Sequence, residues 1–434
     1  MSLPVSASFY HLPPPSMTPV PFKSSAVSRR SALAKIAALS GLPWLGRSEE
    51  ADAGDSSSLS SPSELQGNLY TGISGPWGTI QYYHFYLEAP EHLLAHIPPP
   101  STQTRWTVPQ SEAPRIEALF IRAGLSESVR NALLDPRRIV VNNGLFSIFP
   151  DAKIIIDLPA EARSVIYNYL SRFPQNSFHV SPLYVFSGSL TEWGEGTEIR
   201  PELIELMAGL SYQRGGITVF SDIPLVLSQA RDEPEARSLV KKFTRVRTML
   251  AHVEVSQDSD PSQIIDYWST GMQLRRKDVD PLIRSACRTK GVKQLDLLHL
   301  LPPMPRKLLY TYPDLDMAME GRFPDCHWTS LNFFSYSPQP FYLNERLATS
   351  AIKEHFTKVE APYQYGDILI YMTDDEAAYH SCVYLGADLV FTKNGRNILI
   401  PWTLAHLKEV SGVYSEIDGA KLHIEAWRPN PDAV

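Results

Sequence analysis

The chain has 434 residues, a formal net charge of −7, 43% apolar residues and 10% aromatic residues, the profile of an ordinary globular protein. The acidic balance, with no long basic run, excludes nucleic acid as a partner, because that affinity rests on neutralising phosphates, and excludes tight electrostatic docking to anionic wall polymers. Three cysteines, an odd number, exclude a disulfide framework.

Residues 1–53 read as an export segment. Arg29-Arg30 stand ahead of a short apolar run, Ile36 to Leu45, and of Ala51-Asp52-Ala53, the pattern of a twin-arginine signal with an Ala-x-Ala cleavage site. The alternative is a basic tail, and Met17 is a second candidate start. The apolar run is too short to span a bilayer and no longer one follows, so the mature chain is expected to carry no membrane span and to sit in the periplasm or cell envelope. Serine-rich residues 54–68 read as a linker.

Residues 69–310 are expected to form a mainly helical domain of unassigned role. Tyr82 to Leu87 and Ile139 to Val141 read as strands. Ile116/Leu119/Phe120, Ala162/Val165/Ile166/Tyr169 and Leu203/Leu206/Met207 each fall on one helical face. Leu158-Pro159, Arg163, Tyr167 and Tyr169 recur at the same spacing as Leu301-Pro302, Arg306, Tyr310 and Tyr312, from either a duplicated unit or shared helix-start chemistry. Cys287 reads as a small core residue.

Residues 311–434 carry the chemistry. Pro324-Asp325 is a helix-start signal, and Trp328, Leu331 and Phe334 share a face behind it, so Cys326 opens a helix. A thiol attacks as the thiolate, and a helix N-terminus with a nearby histidine lowers its pKa. Gly366-Asp367 then leads into the strand Ile368 to Tyr371, and His380 opens a second strand that ends in Val383-Tyr384-Leu385-Gly386. Further expected elements are a helix from Ala348 to Phe356, a strand 389–393, a helix from Pro401 to Val410 and a last strand from Leu422 to Trp427.

Asp-Cys at a helix start, Gly-Asp before an apolar strand, and His-x-x-x-Tyr-Leu-Gly resemble the NlpC-type branch of the papain-like fold, the cell-wall cysteine peptidases and amidases. The resemblance covers the last quarter of the chain. It implies an α+β hydrolase with an antiparallel sheet, Cys326 as nucleophile and His380 as general base. The third catalytic position falls at Thr392, and Asn394 lies on the same strand face, so both are candidates for orienting the imidazole. The chain departs from the family pattern in placing His327 and Trp328, not small residues, after the nucleophile.

Asp325, Trp328, Tyr310 and Asp375 are candidate substrate contacts. Asp375, in Asp374-Asp375-Glu376, would attract a cationic amine, or belong to a solvated acidic loop. No cofactor is implied, and Cys326, His327, His380 and Cys382 lack the spacing of a metal site. The resemblance and the export segment together imply hydrolysis of an amide in a peptidoglycan stem peptide or another peptide substrate. A catalytically decayed envelope-binding module and an acyltransferase of the same fold are the alternatives.

Overall fold

A computed structural model describes residues 68–97, 99–186, 189–269, 275–318, 322–417 and 420–430. The expected export segment and all of the expected linker except residue 68 lie outside them.

The C-terminal part is built on a six-stranded antiparallel sheet. Its spatial order is Phe356–Val359, His423–Pro429, Ile368–Met372, Ala378–Gly386, Leu389–Thr392 and Thr403–His406. Ile368 to Tyr371 are four consecutive buried residues because both faces of the sheet are covered. Ile368 and Ile370 enter the main core with Trp328, Phe391 and Trp402, while Leu369 and Tyr371 pack with Cys382, Val390 and Val410 on the other face.

The Gly-Asp pair before this strand is structural. Asp367 is fully buried, accepts two hydrogen bonds from Arg428 at 2.7 and 2.8 Å and one from the Gln364 amide at 2.7 Å, and so ties the central strand to its neighbour. Gly366 has φ +90°, and a Cβ there would lie 2.4 Å from the Phe334 ring. Gly366→Ala combines left-handed strain with overpacking and is expected to destabilise the fold by roughly 2–5 kcal/mol in urea denaturation, with a cost under about 1 kcal/mol showing that Phe334 yields freely.

The helices at Ile116–Arg122, Ala160–Leu170, Pro201–Gly209 and Glu345–His355, and the strands Ile80–Leu87 and Ile139–Asn142, lie where periodicity puts them. The expected helix from Pro401 to Val410 is corrected. Thr403–His406 is a strand paired with Leu389–Thr392, and the helix starts only at Leu407 and runs to Val413.

Residues 69–310 are richer in helix than in strand, but they are not helix alone. They hold a four-stranded antiparallel sheet, Tyr70–Thr71, Ile80–Leu87, Val246–Glu254 and Gln294–Asp296, and two three-stranded sheets. Buried Met249, Ala251 and Val253 alternate along the long strand, the period-two signal that helical spacing elsewhere obscured.

Nor does residue 310 divide the core. Ile80, Met249, Trp268 and Leu308 share one apolar cluster with Trp328, Ile368, Phe391 and Trp402, and the Thr248 hydroxyl donates to the Leu404 carbonyl at 2.9 Å. A second core, from Trp106 to Leu239, belongs to a lobe inserted between the paired strands Ile80–Leu87 and Val246–Glu254.

The recurring Leu-Pro pattern reflects helix-start chemistry. Pro159 and Pro302 both cap helices, of eleven and six residues, but Arg163 is fully buried and Arg306 is exposed. Among the described residues no helix is long and apolar enough to cross a membrane.

Candidate functional site

Cys326 is the first residue of the helix Cys326–Leu331. Asp325 caps that helix: its carboxylate accepts the Trp328 amide at 2.8 Å, and its carbonyl accepts the Thr329 amide at 3.0 Å. The other carboxylate oxygen accepts from Arg396 Nε at 2.9 Å, and Arg396 Nη2 reaches Glu345 at 3.2 Å. Arg396 follows the strand that carries Thr392, so this bridge locks the nucleophile helix to the loop beyond that strand. Ser381 donates to Ser330 at 3.0 Å and holds the helix against the base-bearing strand Ala378–Gly386.

His380, fully buried on that strand, shares a 3.1 Å hydrogen bond between Nε2 and the Thr392 hydroxyl. Thr392 in turn donates to Asn394 Oδ1 at 3.2 Å, so the hydroxyl's proton goes to Asn394 and its oxygen faces the ring. That fixes Nε2 as the protonated nitrogen. Nδ1 is buried and is the ring nitrogen left to face Cys326. The phenol ring of Tyr414 stacks flat over the imidazole, with centroids 4.0 Å apart and planes 4° from parallel.

The thiol is flanked by two imidazoles. Burial by itself raises the Cys326 pKa, but the charges and hydrogen bonds of His327 and His380 outweigh it and bring the thiol down to about 5. Burial likewise lowers His327, yet the thiolate and then Asp325 overcome it and push the ring up to about 9. Cys326 and His327 therefore form a thiolate–imidazolium pair in the resting protein, with His380 beside it.

Lys393 is fully buried close by, donating to the carbonyls of Gly395 at 2.7 Å and Asn397 at 3.1 Å. Burial draws its pKa down to about 7 against the opposing charges of Asp325 and Cys326. Cys382 is pushed well up, mainly by burial, and makes no comparable pair.

Cys326, His380, Thr392 and Asn394 thus converge. The candidate substrate contacts do not form a cleft around them. Trp328 is 4% exposed within the main core, because its helical face is the one that packs on the sheet. Tyr310 packs edge-on against Phe85 and donates its hydroxyl to the Met249 carbonyl at 2.6 Å. Asp325 is committed to the cap and to Arg396. Asp375 lies in an exposed turn and accepts from the Thr373 hydroxyl.

Sequence reading missed four residues of this site. His327 stands beside the nucleophile, where the sequence shows it only as a departure from a family pattern. Lys393 was hidden by alternation, which assigns it the face opposite Thr392 and Asn394. Arg396 and Tyr414 carry no local signal, since their partners lie 71 and 34 positions away. Compared with known proteins, the chain matches no family model, no curated protein and no solved structure.

Proposed function

We propose that the protein is a cysteine-dependent acyl-transfer enzyme of papain-like organisation, and that it hydrolyses an amide bond in a peptide substrate, with exported protein and peptidoglycan stem peptides as the setting. The observation that carries this reading is the Cys326 thiol at a helix start between two imidazoles, with His380 oriented by Thr392.

In this reading the Cys326 thiolate attacks the amide carbonyl to give a tetrahedral adduct. The Cys326 backbone N–H at the helix start supplies one hydrogen bond to the developing oxyanion. An imidazolium returns the proton to the departing amine, leaving a thioester, and the same ring then takes a proton from water as the water attacks that thioester.

Enclosure of the site favours a second reading. Cys326 is 6% exposed and His380 fully buried, as in a module that binds wall fragments without cleaving them.

Incubation of intact protein with muropeptides, followed by mass spectrometry, separates the two. Wild type is expected to release new amine and carboxyl termini, Cys326→Ala none, and His380→Ala roughly 10²–10⁴-fold less. Retention of uncut fragments by wild type and Cys326→Ala alike would favour the binding module.

A further inference from the structure

The turn that follows Thr392 carries two groups, one for each half of the site. Asn394 accepts from the Thr392 hydroxyl at 3.2 Å, and that hydroxyl meets His380 Nε2 at 3.1 Å. Arg396, two residues on, donates to Asp325 at 2.9 Å, and Asp325 caps the helix that Cys326 opens. One short segment therefore reaches both the imidazole and the nucleophile helix. Both contacts form together only while residues 394 and 396 keep their relative placement.

Lys393 supplies that constraint. Its side chain is fully buried, and its ammonium donates to the Gly395 carbonyl at 2.7 Å and the Asn397 carbonyl at 3.1 Å, the two carbonyls that flank Arg396. The Gly395 amide donates back to the Lys393 carbonyl at 3.0 Å, and Gly395 takes φ +99°, so the segment turns back on its own first residue. The ammonium also stands 5.7 Å from the centroid of the Trp402 ring, and Trp402 Nε1 donates to Thr329 Oγ1 at 2.9 Å on the nucleophile helix.

Burying an ammonium against neutral acceptors is unfavourable, and an apolar side chain of the same length would fill the space without that penalty. Stability alone does not account for a lysine here. What an apolar side chain cannot do is tie two carbonyls of one turn together.

We infer that Lys393 is a positioning residue whose ammonium clamps the 393–397 turn, so that Asn394 and Arg396 hold His380 and the Cys326 helix in a single arrangement. This rests on the Cys326–His380 reading proposed above. Lys393 acts through its two neighbours and not by contact with substrate.

Iodoacetamide labelling of all three cysteines in the intact protein tests it at pH 5, near the Cys326 midpoint, where the thiolate fraction responds most. Rate constants are read by peptide mass spectrometry in wild type, Lys393→Met, Lys393→Arg, Arg396→Gln and the Lys393→Met/Arg396→Gln double variant. Cys326 labelling is expected to fall about fivefold in Lys393→Met, as a rise of about one pH unit in the midpoint gives. It should recover in Lys393→Arg, which keeps the donors, while Cys287 and Cys382 stay inert throughout. Because Lys393 acts in part through Arg396, the double variant should lose less than the product of the two single losses. Lys393→Leu repeats the comparison should the Met variant not fold. An unchanged Cys326 rate in Lys393→Met overturns the role of Lys393 and leaves the thiolate reading standing. Losses that multiply in the double variant overturn it too, showing a charge that acts on the thiolate directly. Labelling of Cys382 that appears alongside the loss assigns Lys393 to packing alone. Wild-type Cys326 reacting no faster than Cys287 overturns the enzyme reading itself.

Discussion

Cys326 is expected to react with iodoacetamide at pH 6, where Cys287 and Cys382 stay inert, and His327→Ala is expected to slow that reaction by moving its midpoint up roughly one to three pH units. The argument is electrostatic. Burial acts against the Cys326 thiolate, so its descent to about 5 must come from opposite charge, with His327 the larger contributor and His380 the smaller. A thiol lowered on folding contributes stability above its unfolded value and loses it as pH falls through about 5. His327 is raised, so its contribution is present below its unfolded value and lost as pH rises through about 9. The two values belong to the pair, and the ion pair persists between them. The labelling rate of wild type should therefore climb through about pH 5 and level off well below the usual thiol range. Cys287 and Cys382, both raised by burial, provide the internal reference. A midpoint unmoved in His327→Ala but shifted in His380→Ala would assign the whole effect to His380 and reduce His327 to a bystander.

The parts of this site legible in the sequence were those set by local rules. Helix-start chemistry placed Cys326, alternation put Thr392 and Asn394 on one face, and a continuous apolar run marked Ile368 to Tyr371 as a buried strand. What stayed hidden depends on contacts between distant segments. The expected helix from Pro401 to Val410 failed because Thr403 to His406 gain strand partners in Leu389 to Thr392, a tertiary gain that outweighs local propensity. The expected boundary at 310 failed because Ile80–Leu87 pairs with Val246–Glu254 across the whole inserted lobe, and a pairing over that separation leaves no local mark. The fold is a mixed α+β one in which the first strands of the described chain and its last ones serve one core. The candidate site was legible as a Cys–His pair; the second imidazole was not, because it broke a pattern.

Arg163→Ala is expected to destabilise the protein by about 3–5 kcal/mol at pH 8, by leaving a buried charge of the inserted lobe unpaired. Arg163 and Asp222 are both buried, with Nε 3.7 Å from Oδ2, and Arg163 also donates to the carbonyls of Gly209 at 3.2 Å and Ile155 at 2.8 Å. Tyr167 donates its hydroxyl to Asp222 Oδ1 at 2.8 Å. Burial pushes the Asp222 carboxyl up to about 6, against the Tyr167 hydrogen bond and the Arg163 charge. A raised carboxyl contributes stability that is fully present below its unfolded value, near 4, and lost as pH rises through about 6. Wild-type unfolding free energy, from urea titrations, should thus decline across that window, and Asp222→Asn should flatten the decline. Removing Arg163 takes away a charge that favours the carboxylate, so the folded value rises further and the decline extends to higher pH. The penalty should consequently be smaller at pH 5, where Asp222 sits as a neutral acid bonded to Tyr167. It should then grow by up to about 1.4 kcal/mol for each pH unit over which the folded protein must hold a proton that the unfolded chain has released. A penalty independent of pH would mean that Asp222 is ionised throughout and that the loss lies in the hydrogen bonds Arg163 gives to the Gly209 and Ile155 carbonyls. Because Asp222 lies just beyond the strand Ile217–Phe220, whose turn is seated against Gly412 and Ser415, loosening this buried pair acts on the hairpin that meets the helix Leu407–Val413.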